Sequence, residues 1–180
     1  MAWISQHIDG DKALILERLH SLENVTSETV NTSRRLYNNL YPQMLDEVGV
    51  AGAILWHTNS YKTTTGIDIE FNTNINLDNE KLISQPVGLA LFRIYQECFT
   101  NILRYAKPNL VVIELYIKDK QIFMSIEDDG IGFVINEVDT KVHHGLLGMR
   151  ERAIALNGNL SIISSVGKGT KTSVDIPLSN

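Results

Sequence analysis

The sequence predicts an α+β fold, a two-layer sandwich in which helices cover one face of a mixed sheet and a long helix precedes them. Three observations predict it. A stretch without glycine or proline, from Asp11 to Tyr41, lies near the start of the chain. Later segments switch between a helical spacing of apolar residues and a strand-like alternation. Their order is helices, strand, helix, two strands, helix, two strands.

Composition narrows the functional classes. The 180 residues carry a net charge of −5, which argues against a nucleic-acid partner, because phosphate binding needs clustered Lys and Arg. Cys98 is the single cysteine, so no intramolecular disulfide is possible, as suits a reducing compartment. No apolar run approaches the ~20 residues that span a bilayer, so no membrane contact is expected in this segment.

The first part of the chain is expected to be helical. Between Asp11 and Tyr41 apolar or small residues recur at a helical spacing, which predicts one buried stripe comprising Leu19, Leu22, Val25, Thr29, Leu36 and Leu40. Tyr41–Pro42 is expected to end this helix, because a residue before proline avoids the α conformation. Asp46 is expected to cap a second, shorter helix that runs to about Tyr61.

The second part alternates helices and strands. Gln85 to Ala106 reads as one helix, with Pro86 acceptable in its first turn. Gly145 to Leu156 reads as another, closed by Asn157-Gly158. The intervening residues 133 to 144 read as a loop. Strands are predicted at residues 67–71, 110–117, 121–127, 159–164 and 171–176, with a tight turn at Lys118 to Lys120 and another at Gly167.

Glu97, Asn101 and Arg104 form a polar stripe on the first of these helices. At about 100° per residue they fall within an arc of roughly 60°. A carboxylate, an amide oxygen and a guanidinium so placed are suited to Mg²⁺ and to the phosphates that it bridges. Glu97 is also a candidate base. The alternative is a solvated helix face.

Three glycine-containing clusters follow in order. Asp128-Asp129-Gly130-Ile131-Gly132 comes directly after a strand, so its glycines allow close approach of a ligand and Asp128 can accept a hydrogen bond from an exocyclic amine. Gly145 and Gly148 are expected to open a helix whose free N–H groups favour anions. Gly167-Lys168-Gly169-Thr170 reads as a hairpin turn. Each has a plain structural alternative, but their order predicts a nucleotide site.

These motifs resemble the boxes of sensor histidine kinases. Arg93 to Ala106 resembles the N box, Asp128 to Gly132 the G1 box, and His144 to Arg152 the G2 region of the nitrate-sensor type. Gly167 to Thr170 matches the last glycine box. The resemblance covers residues 65 to 178. It implies the ATP-binding sandwich shared with gyrase and mismatch-repair ATPases, ATP-dependent phosphorylation of a histidine, and transfer to a response-regulator aspartate.

The resemblance also assigns roles. It implies ATP and Mg²⁺ as cofactors, Asn101 as a metal ligand, Glu97 as a catalytic or metal-shell residue, and Asp128 as the partner of the adenine amine. Residues 133 to 144 would form the lid over ATP. The remaining nucleotide-binding positions are Arg104, Tyr105, Gly130, Gly132, Gly145, Leu146, Gly148, Met149 and Thr170. Tyr105 stands where the family usually has histidine, and His143 where it often has glycine.

The same resemblance divides the chain. Residues 1–45 would be the second helix of a dimerisation and histidine-phosphotransfer region, 46–64 a linker helix, and 65–180 the ATP-binding catalytic domain. The family's His followed by Asp or Glu is missing, since His7 precedes Ile8 and His20 precedes Ser21. The acceptor histidine is therefore expected outside this segment. The intact protein is expected to be a homodimer, a partner of a response regulator and the cytoplasmic portion of a membrane-bound sensor.

Two alternatives remain open at this point. An anti-sigma-factor-type serine kinase would share the fold, but the Gly148 to Arg152 motif and the long leading helix speak against it. A degenerate, non-catalytic domain used for dimerisation or partner docking would explain Tyr105, but the presence of both Asp128 and Asn101 argues against it.

Overall fold

The computed structural model describes residues 12–137 and 140–178. The chain divides into two compact units, Met1–Pro42 and Gln43–Asn180. The described part of the first unit is helical. The second unit holds every strand of the sheet and the helices that cover it.

The elements follow the predicted order. The helices are α1 (Lys12–Thr65), α2 (Gln85–Asn101) and α3 (Thr140–Ile154), with a π-helical turn at Ile102–Ala106 and short 3₁₀ turns at Glu80–Leu82 and Ile135–Glu137. The strands are β1 (Asp68–Thr73), β2 (Leu110–Lys118), β3 (Gln121–Asp128), β4 (Asn159–Ser164) and β5 (Thr170–Pro177).

The break in α1 lies at Gly49, so the predicted helix end at Tyr41–Pro42 and the predicted cap at Asp46 are both wrong. Helical backbone continues through Pro42, whereas Gly49 takes a non-helical φ of 70°. The N–H of Val50 donates to Glu80 Oε1 at 2.6 Å, so a carboxylate from a distant turn caps the second part of α1. A Cβ on Gly49 would overlap the Glu80 side chain. Burial raises the pKa of Glu80, and the N–H groups of Val50 and Ala51 act in the opposite direction.

The sheet has five strands in the order β1-β2-β3-β5-β4. The β1–β2 pair is parallel and the other pairs are antiparallel, so the sheet is mixed, as predicted. The β2–β3 hairpin turns through Asp119 and Lys120, which both have positive φ. Two such residues match the right-handed twist of the flanking strands.

The core lies between the sheet and its helices. Alternate strand residues are buried, among them Val111, Ile113, Leu115, Ile122, Met124, Ile126, Val174 and Ile176. They face the apolar side of α2, where Leu91, Phe92, Ile94 and Phe99 are buried. On the other face of the sheet the rings of Tyr116 and Phe123 stack with centroids 5.1 Å apart, and Tyr116 is exposed. The predicted two-layer architecture is confirmed.

A buried polar cluster joins the second part of α1 to α2. The hydroxyl of Tyr95 lies 2.9 Å from His57 Nδ1 and 3.1 Å from Thr58 Oγ1. The His57 ring packs against those of Tyr61 and Phe99. Burial lowers the pKa of His57 to about 4. Sequence reasoning did not find this cluster, because its partners are nearly forty positions apart.

Two helix boundaries differ from the prediction. The predicted helix Gln85–Ala106 is α-helical only to Asn101 and ends in the π turn. The segment expected to be a loop to residue 144 turns helical at Thr140, since residues 140–144 contain no glycine or proline to stop it. At its far end α3 stops at Ile154, and Asn157 rather than Gly158 takes the left-handed conformation.

Within the described residues, no helix combines the length and apolarity needed to cross a bilayer. Three residues of the predicted apolar stripe, Leu19, Leu22 and Val25, are 46–58% exposed in the single chain. The side chains of Leu36 and Leu40 lie outside the described set, as does the part of the predicted dimerisation region before residue 12.

Candidate functional site

A cavity of about 310 Å³ lies between α2, α3 and the ends of β3, β4 and β5. Its walls are mostly apolar. They consist of Cys98, Asn101, Ile102, Tyr105, Ala106, Ile126, Asp128, Ile131, Gly132, Phe133, Leu146, Met149, Ile162, Thr170 and Thr172. A mostly apolar pocket of this size with a few polar side chains is typical of a small-molecule site.

The structure brings seven of the twelve predicted site residues to this cavity. They are Asn101, Tyr105, Asp128, Gly132, Leu146, Met149 and Thr170. The other five, which are Glu97, Arg104, Gly130, Gly145 and Gly148, lie near the cavity in sequence but do not line it.

Asp128 is the buried carboxylate of the cavity, only 4% exposed. It ends β3 on the same side as Ile122, Met124 and Ile126, so strand alternation turns it inward. Its Oδ1 accepts the N–H of Gly130 at 2.9 Å. Burial raises the pKa of Asp128, while the N–H groups of Gly130 and Thr170 act in the opposite direction.

The neighbouring Asp129 has a different task. It is exposed, and its Oδ1 accepts the N–H groups of Asn109 at 2.8 Å and Leu110 at 2.9 Å. These bonds lower the pKa of Asp129. The Asp129 side chain therefore fixes the start of β2 beside the end of β3. Of the two adjacent carboxylates, that of Asp128 lines the cavity and that of Asp129 binds backbone N–H groups.

The glycines of the acidic turn allow backbone to pack on backbone. A Cβ on Gly130 would overlap the carbonyl oxygen of Ala106, at the end of the π turn. A Cβ on Gly132, whose φ is 57°, would overlap the Ser165 carbonyl oxygen. A Cβ on Gly169 would overlap the Asp128 carbonyl oxygen. The acidic turn is thus held between α2 and the β4–β5 turn.

The polar stripe on α2 only partly reaches the cavity. Asn101 lines the cavity, whereas Arg104 is exposed outside it. Glu97 is half-buried, and a Cβ on Gly145 would overlap its Oε1, so its carboxylate packs against α3. Within residues 12–137 and 140–178, no group of three His, Cys, Asp or Glu side chains converges as a metal site.

Gly145 and Gly148 lie inside α3, not at its start. Because the helix begins at Thr140, their N–H groups fall among the hydrogen bonds of the helix interior. The expectation that they open a helix with free N–H groups is therefore wrong for this conformation. Leu146 and Met149, which the sequence also proposed, turn into the cavity.

Several lining residues escaped sequence reasoning. Cys98 was expected only in the core; its Sγ donates to Met149 Sδ at 3.6 Å, and burial raises its pKa to about 12. Thr172 is buried two positions beyond Thr170 on β5. Strand alternation places both threonines on the cavity side. The two-residue period of the strand is therefore the signal that could have identified Thr172 from the sequence. Phe133, just after the acidic turn, carried no comparable signal.

Comparison with known proteins identifies the family of this chain. The family model described as "Histidine kinase-, DNA gyrase B-, and HSP90-like ATPase" matches residues 87–180. The chain is 27% identical over 173 residues to the oxygen sensor histidine kinase NreB of Staphylococcus carnosus, an alignment that covers 94% of this chain and 48% of that protein. It is 30% identical over 175 residues to the sensor histidine kinase LiaS of Bacillus subtilis, covering 97% and 47%. The chain thus spans about half the length of these relatives.

Solved structures show the same fold. The histidine kinase domain of the blue-light activated kinase EL346 from Erythrobacter litoralis superposes with a TM-score of 0.61 at 20% identity, covering 91% of this chain and 87% of that one. The histidine kinase AdeS from Acinetobacter baumannii gives 0.54 at 14% identity, covering 96% and 90%. The predicted histidine-kinase ATPase fold is confirmed. The family match supports the expectation that the chain binds ATP. The chain belongs to the histidine kinase-, DNA gyrase B- and HSP90-like ATPase family.

Proposed function

We propose that residues 65–180 bind ATP together with Mg²⁺ and donate its γ-phosphoryl group to a histidine outside this chain segment. The bond between the γ-phosphorus and its bridging oxygen breaks, a phosphorus–nitrogen bond to imidazole forms, and ADP leaves. The phosphoryl group then passes to an aspartate of a response regulator. The His144 to Arg152 motif supports placing the protein in the nitrate-sensor subgroup.

The observation that carries this proposal is the buried carboxylate of Asp128 in an apolar cavity. A carboxylate offers about four acceptor sites. Backbone N–H groups of Gly130 and Thr170 use two of them. A buried acceptor that is only partly satisfied costs free energy, so a donor in the cavity would stabilise the site. The exocyclic amine of adenine is such a donor, and guanine presents an acceptor at the same ring position.

The phosphates would lie at the rim, where polar side chains meet the cavity. Asn101 supplies an amide oxygen there, which suits Mg²⁺. Arg104 is exposed one turn further along and suits a phosphate oxygen. The metal would neutralise phosphate charge during transfer. Because Glu97 packs against Gly145, its carboxylate would have to turn away from α3 to act as a base or join the metal shell.

The first part of α1 would serve assembly. Leu19, Leu22 and Val25 are spaced along one helix face and exposed in the single chain. Such a stripe is typical of a helix that packs against a second copy. The stripe supports the homodimer as part of the proposal. A response-regulator partner and a location on the cytoplasmic side of a membrane-bound sensor belong to the same proposal.

Nucleotide binding is tested with the β,γ-imido analogue of ATP by calorimetry, with Mg²⁺ and with a chelator. Asp128→Asn should weaken binding by about 10- to 100-fold, because one acceptor of the amine is lost in a buried place. Asp129→Asn is the matched control, since its remaining amide oxygen still anchors β2, and it should stay within twofold. Asn101→Ala should remove the effect of Mg²⁺. Equal affinities for wild type and the Asp128 variant would refute the assignment.

The chemistry is tested on the intact protein with labelled ATP. Phosphohistidine is acid-labile and phosphoserine is acid-stable, so the lability of the label separates the histidine kinase from the serine kinase alternative. Saturable binding without any label transfer in the intact protein would favour the non-catalytic alternative.

A further inference from the structure

The hydroxyl of Ser164, at the end of β4, is a junction of three hydrogen bonds. It accepts the N–H of Phe133 at 2.9 Å and donates to the carbonyl oxygen of Gly169 at 3.1 Å. It also lies 3.0 Å from the hydroxyl oxygen of Thr170. Phe133 and Thr170 both line the cavity, whereas Ser164 does not. The Ser164 side chain therefore connects Phe133, at the start of the segment expected to form the lid, to the β4–β5 turn.

When all three hydrogen bonds form together, the chemistry of a hydroxyl fixes the direction of each. A serine hydroxyl has one proton and two acceptor lone pairs. The Gly169 carbonyl can only accept, so it takes the proton of Ser164. The amide of Phe133 can only donate, so it takes one lone pair. The second lone pair is left for the proton of Thr170, whose hydroxyl therefore donates to Ser164.

This direction determines what Thr170 offers to the cavity. With its proton held by Ser164, the Thr170 hydroxyl presents lone pairs to a ligand. Thr170 is the register partner of Asp128 across β3 and β5, and both line the cavity. The two side chains together form a wall that accepts hydrogen bonds. Such a wall matches an amine, or a water bound to it, and opposes a ligand carbonyl oxygen.

We propose that Ser164 is a positioning residue for purine selection: it fixes the Thr170 hydroxyl as an acceptor beside Asp128, so that the site takes adenine nucleotides and rejects guanine nucleotides. The inference rests on the proposed nucleotide site and adds a residue that does not touch the nucleotide.

The surrounding backbone leaves this junction little freedom. The N–H of Gly167 donates to the Ile131 carbonyl oxygen at 2.6 Å. The overlaps that side chains on Gly132 and Gly169 would make show that the acidic turn and the β4–β5 turn already pack backbone against backbone. This packing holds the backbone of Thr170 in place beside Ser164.

The experiment compares the affinities of the β,γ-imido analogues of ATP and GTP in the whole chain by calorimetry. Ser164→Ala frees the Thr170 proton, which can then donate to the guanine carbonyl. We expect ATP-analogue binding to weaken about 5- to 30-fold and the preference for ATP over GTP to fall about fivefold. Ser164→Thr, which keeps a hydroxyl, should recover most of the preference. Ser161→Ala, the same change on the exposed side of β4, should alter neither.

A double mutant isolates the route through Thr170. In a Thr170→Val background, Ser164→Ala should no longer change the purine preference, because there is no hydroxyl left to turn. A wild-type preference retained by Ser164→Ala, a full additional loss in the Thr170→Val background, or no recovery with Ser164→Thr would each overturn the inference. Absence of ATP-analogue binding by the wild-type chain would instead overturn the proposed nucleotide site, and this inference with it.

Discussion

Substitution of Gly148, inside α3, tests how the site binds phosphate. Gly148 lies in the interior of α3, and its N–H is used by the helix. If the phosphates are bound by backbone N–H groups of this segment, the first turns of α3 must unwind when nucleotide binds. Replacing Gly148 by alanine makes unwinding harder without adding a clash. The nearest atom to the new Cβ is Arg152 Nη1 at 3.0 Å, at the flexible end of a side chain.

The magnitude follows from helix propensity. Alanine favours a helix interior over glycine by about 1 kcal/mol, mainly because glycine has more backbone entropy to lose. Gly148→Ala should therefore raise the free energy of unfolding by about 1 kcal/mol. If binding requires that turn to unwind, the same amount opposes binding, and the Kd for the ATP analogue should rise about fivefold.

Gly88 provides the matched control. It lies in α2, where a Cβ would meet Ile83 and Val50 at 3.9 Å, an ordinary contact. Gly88→Ala should stabilise the fold by a similar amount but leave nucleotide affinity unchanged. Urea unfolding and calorimetry measure the two quantities on the same samples. A Gly148→Ala protein that gains stability and keeps wild-type affinity would refute unwinding.

Three further predictions concern the second part of α1 and its contacts. The pKa of His57 is lowered to about 4 from 6.5, so as pH falls from 6.5 to 4 only the unfolded chain takes up this proton. The free energy of unfolding should thus fall by on the order of 3 kcal/mol between pH 6.5 and pH 4. Urea unfolding of His57→Asn should not show this dependence on pH. Tyr95→Phe removes the shared hydroxyl and should lower the free energy of unfolding by about 1–3 kcal/mol at pH 7, while unchanged unfolding would contradict its role. Glu80→Ala should speed amide exchange at Val50, whereas Glu80→Gln retains an acceptor and should not; equal rates would exclude the cap.

Strands were the part of the fold that local pattern could determine. Each strand buries one face, so the alternation of apolar residues sets both its existence and its orientation. The turn between β2 and β3 was recognisable from three polar residues, Lys118 to Lys120. The same alternation selects Asp128 over Asp129, because positions 122, 124, 126 and 128 share one side of β3. The chemistry of the two carboxylates is identical, and only the period of the strand separates them.

The predicted helix boundaries were wrong where a residue distant in the sequence determines the boundary. Nothing near Gly49 indicates that a carboxylate thirty positions away will cap the next turn, while Pro42 carries the stronger local signal and is overridden. The start of α3 failed for a related reason. Gly145 and Gly148 suggested a loop, but the helix interior tolerates glycine at a cost of about 1 kcal/mol each. Packing of α3 against α2 and the sheet exceeds such a cost, and this packing is not visible in the local sequence.

The residues of the polar stripe on α2 do not all line the cavity, and helix geometry explains why. Measured from Glu97, the cavity residue Cys98 lies roughly 100° around the helix, and Asn101 lies between the two at roughly 40°. Arg104 follows in the π turn and is exposed outside the cavity. Asn101 therefore belongs both to the polar stripe and to the cavity rim. In the proposed function the apolar cavity holds the purine and the stripe holds the phosphates, and this geometry puts Asn101 at their junction. It follows that Asn101→Ala should impair Mg²⁺-dependent binding of triphosphate far more than binding of adenosine, whereas Asp128→Asn should weaken both alike; equal effects of the two variants on adenosine would contradict this division.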